Sequence, residues 1–159
     1  MHVEVVLIQK QIPFTVSFIY GLNSHLERVP LWNSIRHLAS SIVSPWILLG
    51  DFNVVRYPSE RLGGSCDWPA RMEDLNDCCV EAGLEDLKFT GNLLTWRRGS
   101  GQTFLSKKLD RALVNLEWMH SFPESEAAFL QSGYSDHSPI VINTGIQLHQ
   151  RRTSFKYFE

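Results

Sequence analysis

The chain has 159 residues, a length that suits one domain with a hydrophobic core. Its 43% hydrophobic and 20% charged residues exclude a disordered protein, and no apolar run approaches the roughly 18 residues that a membrane span needs. The net charge of −2 gives no general argument for a nucleic-acid partner, so such an argument has to come from local clusters of charge.

The first forty residues predict a strand hairpin followed by a helix. Val3–Ile8 and Phe14–Tyr20 are rich in β-formers and are expected to be antiparallel neighbours. Ser24 and Glu27 have the S-x-x-E spacing of a capping box, and apolar residues follow at helical spacing. The regular part of this helix is expected to start near residue 29, with Pro30 in its first turn.

The rest of the chain predicts more strands than helices. Trp46–Leu49 is short and uniformly apolar, which favours a strand buried on both faces. Tyr57–Pro69 is expected to be a loop, and Ala70–Ala82 a helix that stops at Gly83. The short strand candidates that follow are Leu84–Leu87, Leu93–Trp96, Leu109–Val114, Ala127–Leu130 and Ile140–Ile142. This order predicts layered β-sheets with flanking helices, an α/β protein.

The three cysteines are predicted to be buried, reduced thiols of an intracellular protein. Cys66, Cys78 and Cys79 are odd in number and lack the C-x-x-C spacing of a zinc or redox site. Residues 1–146 are expected to form the domain. Residues 147–159 are basic and aromatic, and they are expected to be a tail or the start of a linker.

Polar residues follow or precede three of the apolar strands. Asp51 and Asn53 come directly after the first buried strand, Asp110 enters another, and Asp136 and His137 precede the last. Rigid sites in layered folds are built at strand ends and in the adjoining loops. The sequence therefore offers three aspartates, one asparagine and one histidine that can converge.

Each of these groups also has a simpler interpretation. Asp51 and Asn53 favour turns and could cap one. Asp110 and Arg111 could form a surface ion pair, and His137 could be a half-buried histidine with its hydrogen bonds satisfied. The whole set, however, is what phosphoester hydrolysis needs: carboxylates for a hard cation and for a base, an amide for phosphate or water, and a histidine held by a carboxylate.

The motifs GDFN, LDR and SDHSP, in this order and at this spacing, resemble the endonuclease/exonuclease/phosphatase family, which includes DNase I-like enzymes. The wider pattern, from FIYGLNSHLERVPLW through ERLGG and LTWRRG to YSDHSPIVI, resembles the endonuclease domain of plant LINE-type (non-LTR) retrotransposon polyproteins. In those polyproteins a reverse transcriptase follows, and the closing RRTSFKYFE resembles the junction. The resemblance covers nearly the whole chain.

This resemblance implies a four-layer α/β sandwich and Mg²⁺- or Mn²⁺-dependent hydrolysis of DNA phosphodiester bonds. By the same resemblance, Asp51 positions or deprotonates the attacking water, and Asn53 helps to hold water and phosphate. Asp136 is implied to be the metal ligand. His137 is implied to contact the scissile phosphate, and Asp110 to orient that histidine.

Further residues are implied to contact the substrate. Tyr20 and Asn23 match a tyrosine and an asparagine near the phosphate, although Tyr20 taken alone would more often be a core residue. A basic segment is implied to contact DNA, and its simpler interpretation is a solvated hairpin. Its residues are Arg97, Arg98, Lys107 and Lys108.

The family pattern also contains an early strand with an asparagine and a Gln-Glu segment whose glutamate binds the metal. Only 19 residues precede Tyr20, and Glu4 is the sole acid among them. We therefore expect a truncated domain with missing N-terminal strands, an unpaired sheet edge, weak metal binding and impaired activity. The alternatives are an inactive DNA-binding remnant and, ranked lower, a small-molecule phosphatase. A functional protein is expected to be intracellular, in the nucleus, with DNA as its partner and no membrane association.

Overall fold

The computed structural model describes residues 1–7, 11–64 and 74–146. In this part of the chain the α-helices are α1 (His25–Ala39), α2 (Asp74–Ala82) and α3 (Leu116–Ser121). Strands β1 to β6 are His2–Leu7, Ile12–Tyr20, Trp46–Asp51, Arg61–Leu62, Glu85–Asp86 and Phe89–Gly91. Strands β7 to β11 are Trp96–Arg98, Leu105–Lys107, Asp110–Val114, Glu126–Phe129 and Ile140–Asn143. Short 3-10 helices cover Pro58–Glu60 and Gly101–Thr103. Cys66, the predicted tail and the first residues of the predicted second helix lie outside the described residues.

Three sheets organise these strands. The largest has the order β1-β2-β3-β9-β5, and smaller sheets have the orders β11-β10-β6 and β4-β8-β7. β1 and β2 are antiparallel, as predicted, and β3 pairs parallel with β2 and antiparallel with β9. β1 lies at one edge of the largest sheet, where Val3 and Val6 are exposed.

β3 is the central strand of the largest sheet and is buried on both faces, as predicted. Trp46 and Leu48 pack into a core cluster with α1 and α2, which contains Trp32 and Leu75. Ile47 faces the opposite side, in a second cluster with residues of α3 and β10. Because successive strand residues point to opposite faces, an apolar run without alternation fits this position. A helical layer, the largest sheet and the β11-β10-β6 sheet thus lie on one another.

The start of α1 differs from the prediction. α1 begins at His25, so Pro30 lies inside the helix rather than in its first turn. Ser24 is the N-cap residue, yet its side chain makes no capping hydrogen bond, and the predicted capping box is therefore wrong. Proline costs a helix one main-chain donor. The main-chain carbonyl of Leu26 therefore lacks its helical donor at Pro30. Leu26 is exposed, so water can hydrogen-bond to that carbonyl.

The second half of the chain holds the largest departure from the predicted strands. The expected strand at Leu93–Trp96 is wrong, because β7 starts only at Trp96, where pairing with β8 begins. Leu93 is exposed in the preceding turn, so its apolar character did not mark burial. The strands β4, β6 and β8 were not predicted either. The short sequences of β4 and β6 form strands only by pairing with β8 and β10, which are distant in the chain.

The structure bears on two expectations from the sequence, the buried reduced cysteines and the lack of a membrane span. Cys78 and Cys79 are free and buried in α2, and burial raises the pKa values of their thiols to about 11 and about 12. In the described part of the chain, every helix is too short or too polar to cross a membrane.

Candidate active site

The end of β3 is shaped to present Asp51 and Asn53. Gly50 has φ +136°, and a Cβ at this position would lie 2.1 Å from the carbonyl oxygen of Ile19, so only glycine lets β2 approach so closely. Asn53 has φ +55°, a left-handed conformation that asparagine tolerates better than most residues. Its main-chain N–H donates to Asp51 Oδ1 at 2.8 Å, and its Nδ2 donates to the carbonyl of Gly21 at 3.0 Å. The predicted turn cap thus exists, and it fixes both side chains.

Sheet register brings Asp110 beside Asp51. The antiparallel register of β3 and β9 pairs Asp51 with Asp110, and the parallel register of β2 and β3 pairs Tyr20 with Asp51. Directly paired residues of neighbouring strands point to the same face. The N–H of Phe52 donates to the carbonyl of Leu109 at 2.9 Å and extends this pairing beyond the strand. Two carboxylates therefore share one end of the sheet.

His137 completes the group. Its Nδ1 lies 2.9 Å and 3.1 Å from the two carboxylate oxygens of Asp110, so the ring donates to that buried acid. Partial burial of the ring works against protonation. The pKa of His137 is nevertheless raised above its usual value, because the ring is hydrogen-bonded to Asp110 and attracted by the charges of Asp110, Asp51 and Asp136. The geometry fixes the orientation of the ring and favours its charged form.

Asp51, Asp110 and His137 form the acidic cluster of the site. Each of these three residues offers a ligand atom, and these atoms lie within 4.8 Å of one another. The pKa of Asp51 is raised, first by burial and further by Asp110, against the opposing effects of the Asn53 hydrogen bond, His137 and Arg28. Hard oxygen donors at this separation fit a divalent cation that takes one or two protein carboxylates and fills its remaining positions with water, whereas the His137 ring is engaged by Asp110.

Asp136 lies beside this cluster rather than within it. Its carboxylate accepts from the indole Nε1 of Trp96 at 2.9 Å, and the residue is exposed. Its main-chain oxygen accepts from the N–H of Arg97 at 3.1 Å. The charge of Asp136 acts on His137, but the predicted role of Asp136 as a metal ligand stays a prediction.

Thr95 is a residue that sequence reasoning missed. It is buried, and its Oγ1 accepts from the N–H groups of Leu109 at 3.1 Å and Asp110 at 2.9 Å. Its carbonyl accepts from the N–H of Ser138 at 2.7 Å. Thr95 thus ties the strand that carries Asp110 to the loop that carries His137. The LTW segment of the family pattern contained this residue, but its local sequence carries no sign of the role.

Tyr20 and Asn23 lie on the loop side of β2, next to the cluster. Tyr20 is 71% exposed, so the interpretation as a core residue is wrong. Asn23 is exposed, and its main-chain oxygen accepts from Arg28 Nη1 at 2.8 Å. Asn23 and Asn53 line the same cavity. Contact of either residue with phosphate stays a prediction.

The basic segment lies on the hairpin of β7 and β8, but its four cations differ in exposure. Arg97 and Arg98 are exposed, and Lys107 is half-buried with its Nζ 5.7 Å from the Trp96 ring centre. Lys108 is 3% exposed, and its Nζ donates to Asp86 Oδ1 at 2.9 Å. The predicted DNA contact of Lys108 is therefore wrong, because its charge is already paired inside the protein.

Lys108 belongs to a buried network of charges around Arg111. Arg111 is 0% exposed and binds Glu60 through both terminal nitrogens, with Nη1 also donating to Asp86 Oδ1 at 3.1 Å. Arg56 donates to Asp86 Oδ2 at 3.3 Å. A surface pair of Asp110 and Arg111 is thus excluded, since these neighbours point to opposite faces of β9. The network anchors the loop after β3, and thereby one side of the site.

Comparison with solved structures identifies the architecture. The endonuclease domain of TRAS1, a telomere-specific non-LTR retrotransposon, is 19% identical with a TM-score of 0.60, and the match covers 86% of this chain and 59% of that chain. The beta toxin of Staphylococcus aureus is 15% identical with a TM-score of 0.56, over 89% of this chain and 55% of that chain. An endonuclease/exonuclease/phosphatase family protein from Bacteroides thetaiotaomicron is 17% identical with a TM-score of 0.44, over 82% and 47%.

Sequence comparison adds no assignment, because no protein-family model and no curated protein matches the chain. The chain spans 59% and 55% of the length of the first two solved structures. The three α-helices and three sheets of its described residues match part of their architecture. The predicted α/β class is confirmed, and the chain has the DNase I-like fold.

Proposed function

We propose that this chain is a retroelement-derived endonuclease domain that hydrolyses phosphodiester bonds of DNA with Mg²⁺ or Mn²⁺. One observation carries the proposal: Asp51, Asp110 and His137, from three separate segments, offer ligand atoms within 4.8 Å of one another on a DNase I-like fold. Such convergence at the end of a sheet supports a chemical site over a structural one.

The roles follow from the contacts. Asp51 has a raised pKa and accepts the proton of the attacking water, which its turn with Asn53 helps to position. The water oxygen bonds to phosphorus while the bond from phosphorus to the leaving oxygen breaks, and the leaving oxygen takes a proton from solvent. His137, oriented by Asp110 through Nδ1, presents Nε2 to a non-bridging phosphate oxygen and stabilises the developing negative charge.

The metal would be held by Asp51 of the cluster together with Asp136 beside it, since Asp110 is occupied by His137. When bound, Mg²⁺ supplies positive charge that offsets the charge of the phosphate. Proteins hold this ion through one or two carboxylates and water, and here the Asp136 carboxylate already accepts from Trp96, so the proposal includes weak binding and low activity for this chain.

Nicking of supercoiled plasmid with and without Mg²⁺ tests the proposal. Asp51→Ala and His137→Ala should each lower the nicking rate by about 10²-fold or more, as loss of a general base or of a main phosphate contact does. Asp77→Ala and His120→Ala are matched controls, because both residues are exposed on helices away from the cluster. Equal nicking by wild type, Asp51→Ala and His137→Ala would refute catalysis by this site.

Two other outcomes identify the alternatives. DNA binding that weakens with salt but is not accompanied by nicking would make the chain a DNA-binding remnant. Release of phosphate from small phosphomonoesters, with intact plasmid, would make it a phosphatase. A nuclease of the proposed origin would act in the nucleus and would be joined in its parent polyprotein to a reverse transcriptase.

A further inference from the structure

β1 is the longest of the strands that lie at a sheet edge in the described structure. It has six residues, whereas the other edge strands, β4, β5, β6, β7 and β11, have two to four. A short edge is one way in which proteins prevent pairing with another chain, and bulges, lysines and prolines are others. The register of β1 with β2 runs without a bulge from His2 to Leu7, and β1 contains neither lysine nor proline. This edge is therefore open to a further strand.

The hydrogen bonds at the start of β1 show which of its main-chain groups face outward. The N–H of Phe18 donates to the Met1 carbonyl at 2.8 Å, and the Met1 ammonium donates to the Phe18 carbonyl at 3.0 Å. Met1 and Phe18 are thus a hydrogen-bonded pair, and such pairs alternate along an antiparallel ladder. The main-chain N–H and C=O groups of His2, Glu4 and Val6 therefore point away from β2, toward the open edge.

The side chains of β1 divide between a polar and an apolar face. Successive strand residues alternate in direction, so His2 and Glu4 share one face, and both residues are exposed. Val3 and Val5 share the other face, where Val5 packs against the second core cluster and Val3 is exposed. A strand that pairs with this edge would meet a basic and an acidic group on one face and valine on the other.

The ring of His2 retains a donor for such a strand. Its Nδ1 lies 3.0 Å from Ser17 Oγ, and the same oxygen accepts from Trp46 Nε1 at 2.9 Å. Because Ser17 Oγ accepts from the indole, its own proton is available to Nδ1 of His2. Nε2 then carries the ring proton and is free of that contact. A carboxylate opposite His2 would accept from it.

We propose that β1 pairs antiparallel with β1 of a second copy of this chain, with His2 of each copy opposite Glu4 of the other. The two-fold axis passes between the two copies of Val3, which meet on the apolar face. His2 and Glu4 both carry their main-chain groups outward, so each pair exchanges both of its N–H···O hydrogen bonds. The largest sheet thereby becomes continuous across the two copies.

The charges select this register over its neighbours. A shift by two residues in one direction places Glu4 opposite Glu4, and the same shift in the other direction places His2 opposite His2. Like charges directly opposite each other destabilise a strand pair, whereas opposite charges stabilise it. The edge is thus complementary to itself, which makes a second copy the occupant and a closed two-fold dimer the product.

The pairing is independent of the proposed catalytic function. Asp51 lies on β3, which is separated from β1 by β2, so the dimer leaves the acidic cluster open. The experiments below use neither DNA nor metal. Loss of nicking therefore says nothing against the dimer, and absence of the dimer says nothing against the nuclease.

Sedimentation equilibrium over micromolar to millimolar protein tests the pairing. Wild type should pass from the mass of one chain to the mass of two as its concentration rises, and go no further, because each copy has one such edge. Glu4→Lys should weaken the association about tenfold, since it places a cation opposite His2 in both pairs. Glu124→Lys is the matched control, because Glu124 is exposed in the turn after α3 and the net charge changes equally.

A charge exchange tests the register. His2→Glu alone should weaken the dimer as Glu4→Lys does, because it places two carboxylates opposite each other. The double variant His2→Glu/Glu4→Lys restores opposite charges and should recover the wild-type affinity to within about threefold. A double variant as weak as the single ones would overturn the His2–Glu4 pairing. A single chain at every concentration, or a mass that keeps rising beyond two chains, would overturn the dimer.

Cysteine substitutions measure the same register by distance. Cys66 is replaced by serine in every variant, so that the introduced thiol is compared on one background. Val3→Cys should form a disulfide-linked dimer on mild oxidation, because non-hydrogen-bonded partners have Cα atoms about 4.5 Å apart. Val6→Cys is the control at an exposed position of the same strand, and the proposed register separates its two copies by roughly 20 Å. A disulfide through Val6→Cys but not through Val3→Cys would overturn the proposal. Thermal unfolding checks that each variant is folded.

Discussion

Replacement of Thr95 by valine removes the hydroxyl that links Asp110 to the loop of His137. Valine has a similar shape and opens no cavity, so the change acts through hydrogen bonds. Thr95 Oγ1 accepts from the N–H groups of Leu109 and Asp110. Both of these residues are at most 6% exposed. Each buried N–H left unpaired costs about 1–3 kcal/mol, so the sum for two is about 2–6 kcal/mol.

Urea unfolding of the two threonine variants measures this cost. A domain of this size has a free energy of unfolding of roughly 5–15 kcal/mol, so Thr95→Val should lower the urea midpoint clearly. Thr95→Ser keeps the oxygen and should cost only the buried methyl group, about 1 kcal/mol. Thr103→Val controls for the replacement of a threonine by valine at an exposed position, because the Thr103 hydroxyl donates to the Ser100 carbonyl in an exposed turn. If Thr95→Val costs no more than Thr95→Ser, the hydroxyl does not hold this part of the site.

Two further predictions concern charged groups. In EDTA, Asp110→Asn should lower the pKa of His137, measured from its imidazole signals. In wild type the raised pKa stabilises the fold below the unfolded value of about 6.5, and this stabilisation is lost as pH rises through the folded pKa. The difference in stability between wild type and Asp110→Asn should therefore shrink from acidic to alkaline pH. An equal drop on Asp136→Asn would argue against the specific Asp110 contact. Arg111→Met should cost about 3–5 kcal/mol in urea unfolding, since it leaves Glu60 buried without its main cation, and a loss below about 1 kcal/mol would contradict that account.

The sequence alone predicted the elements whose burial shows in local patterns. Trp46–Leu49 is apolar at every position, and that pattern is specific for a strand covered on both sides. Asp51 and Asn53 follow it with turn-forming chemistry, and the structure has both the turn and the left-handed asparagine. These features depend on neighbours in the chain, which is why they can be predicted from it.

Other features depend on residues that only the fold brings together. Asp110 and His137 are 27 positions apart, and their hydrogen bond was expected from a family resemblance rather than from the local sequence. Lys108 looks like Lys107 in the sequence, yet the two alternate in direction, and only Lys108 meets Asp86, 22 positions away. Alternation in a strand is visible in a sequence, but the side on which a partner lies is not.

What the sequence by itself determined is therefore the buried strands, the turn that presents Asp51, and the set of residues able to act on a phosphodiester. Tertiary structure alone decided which of them meet: the Asp51–Asp110–His137 cluster and the buried pairing of Lys108 and Arg111. The physical reason is that periodicity reports burial, whereas hydrogen bonds and ion pairs between distant segments require the register of sheets that the local sequence does not encode.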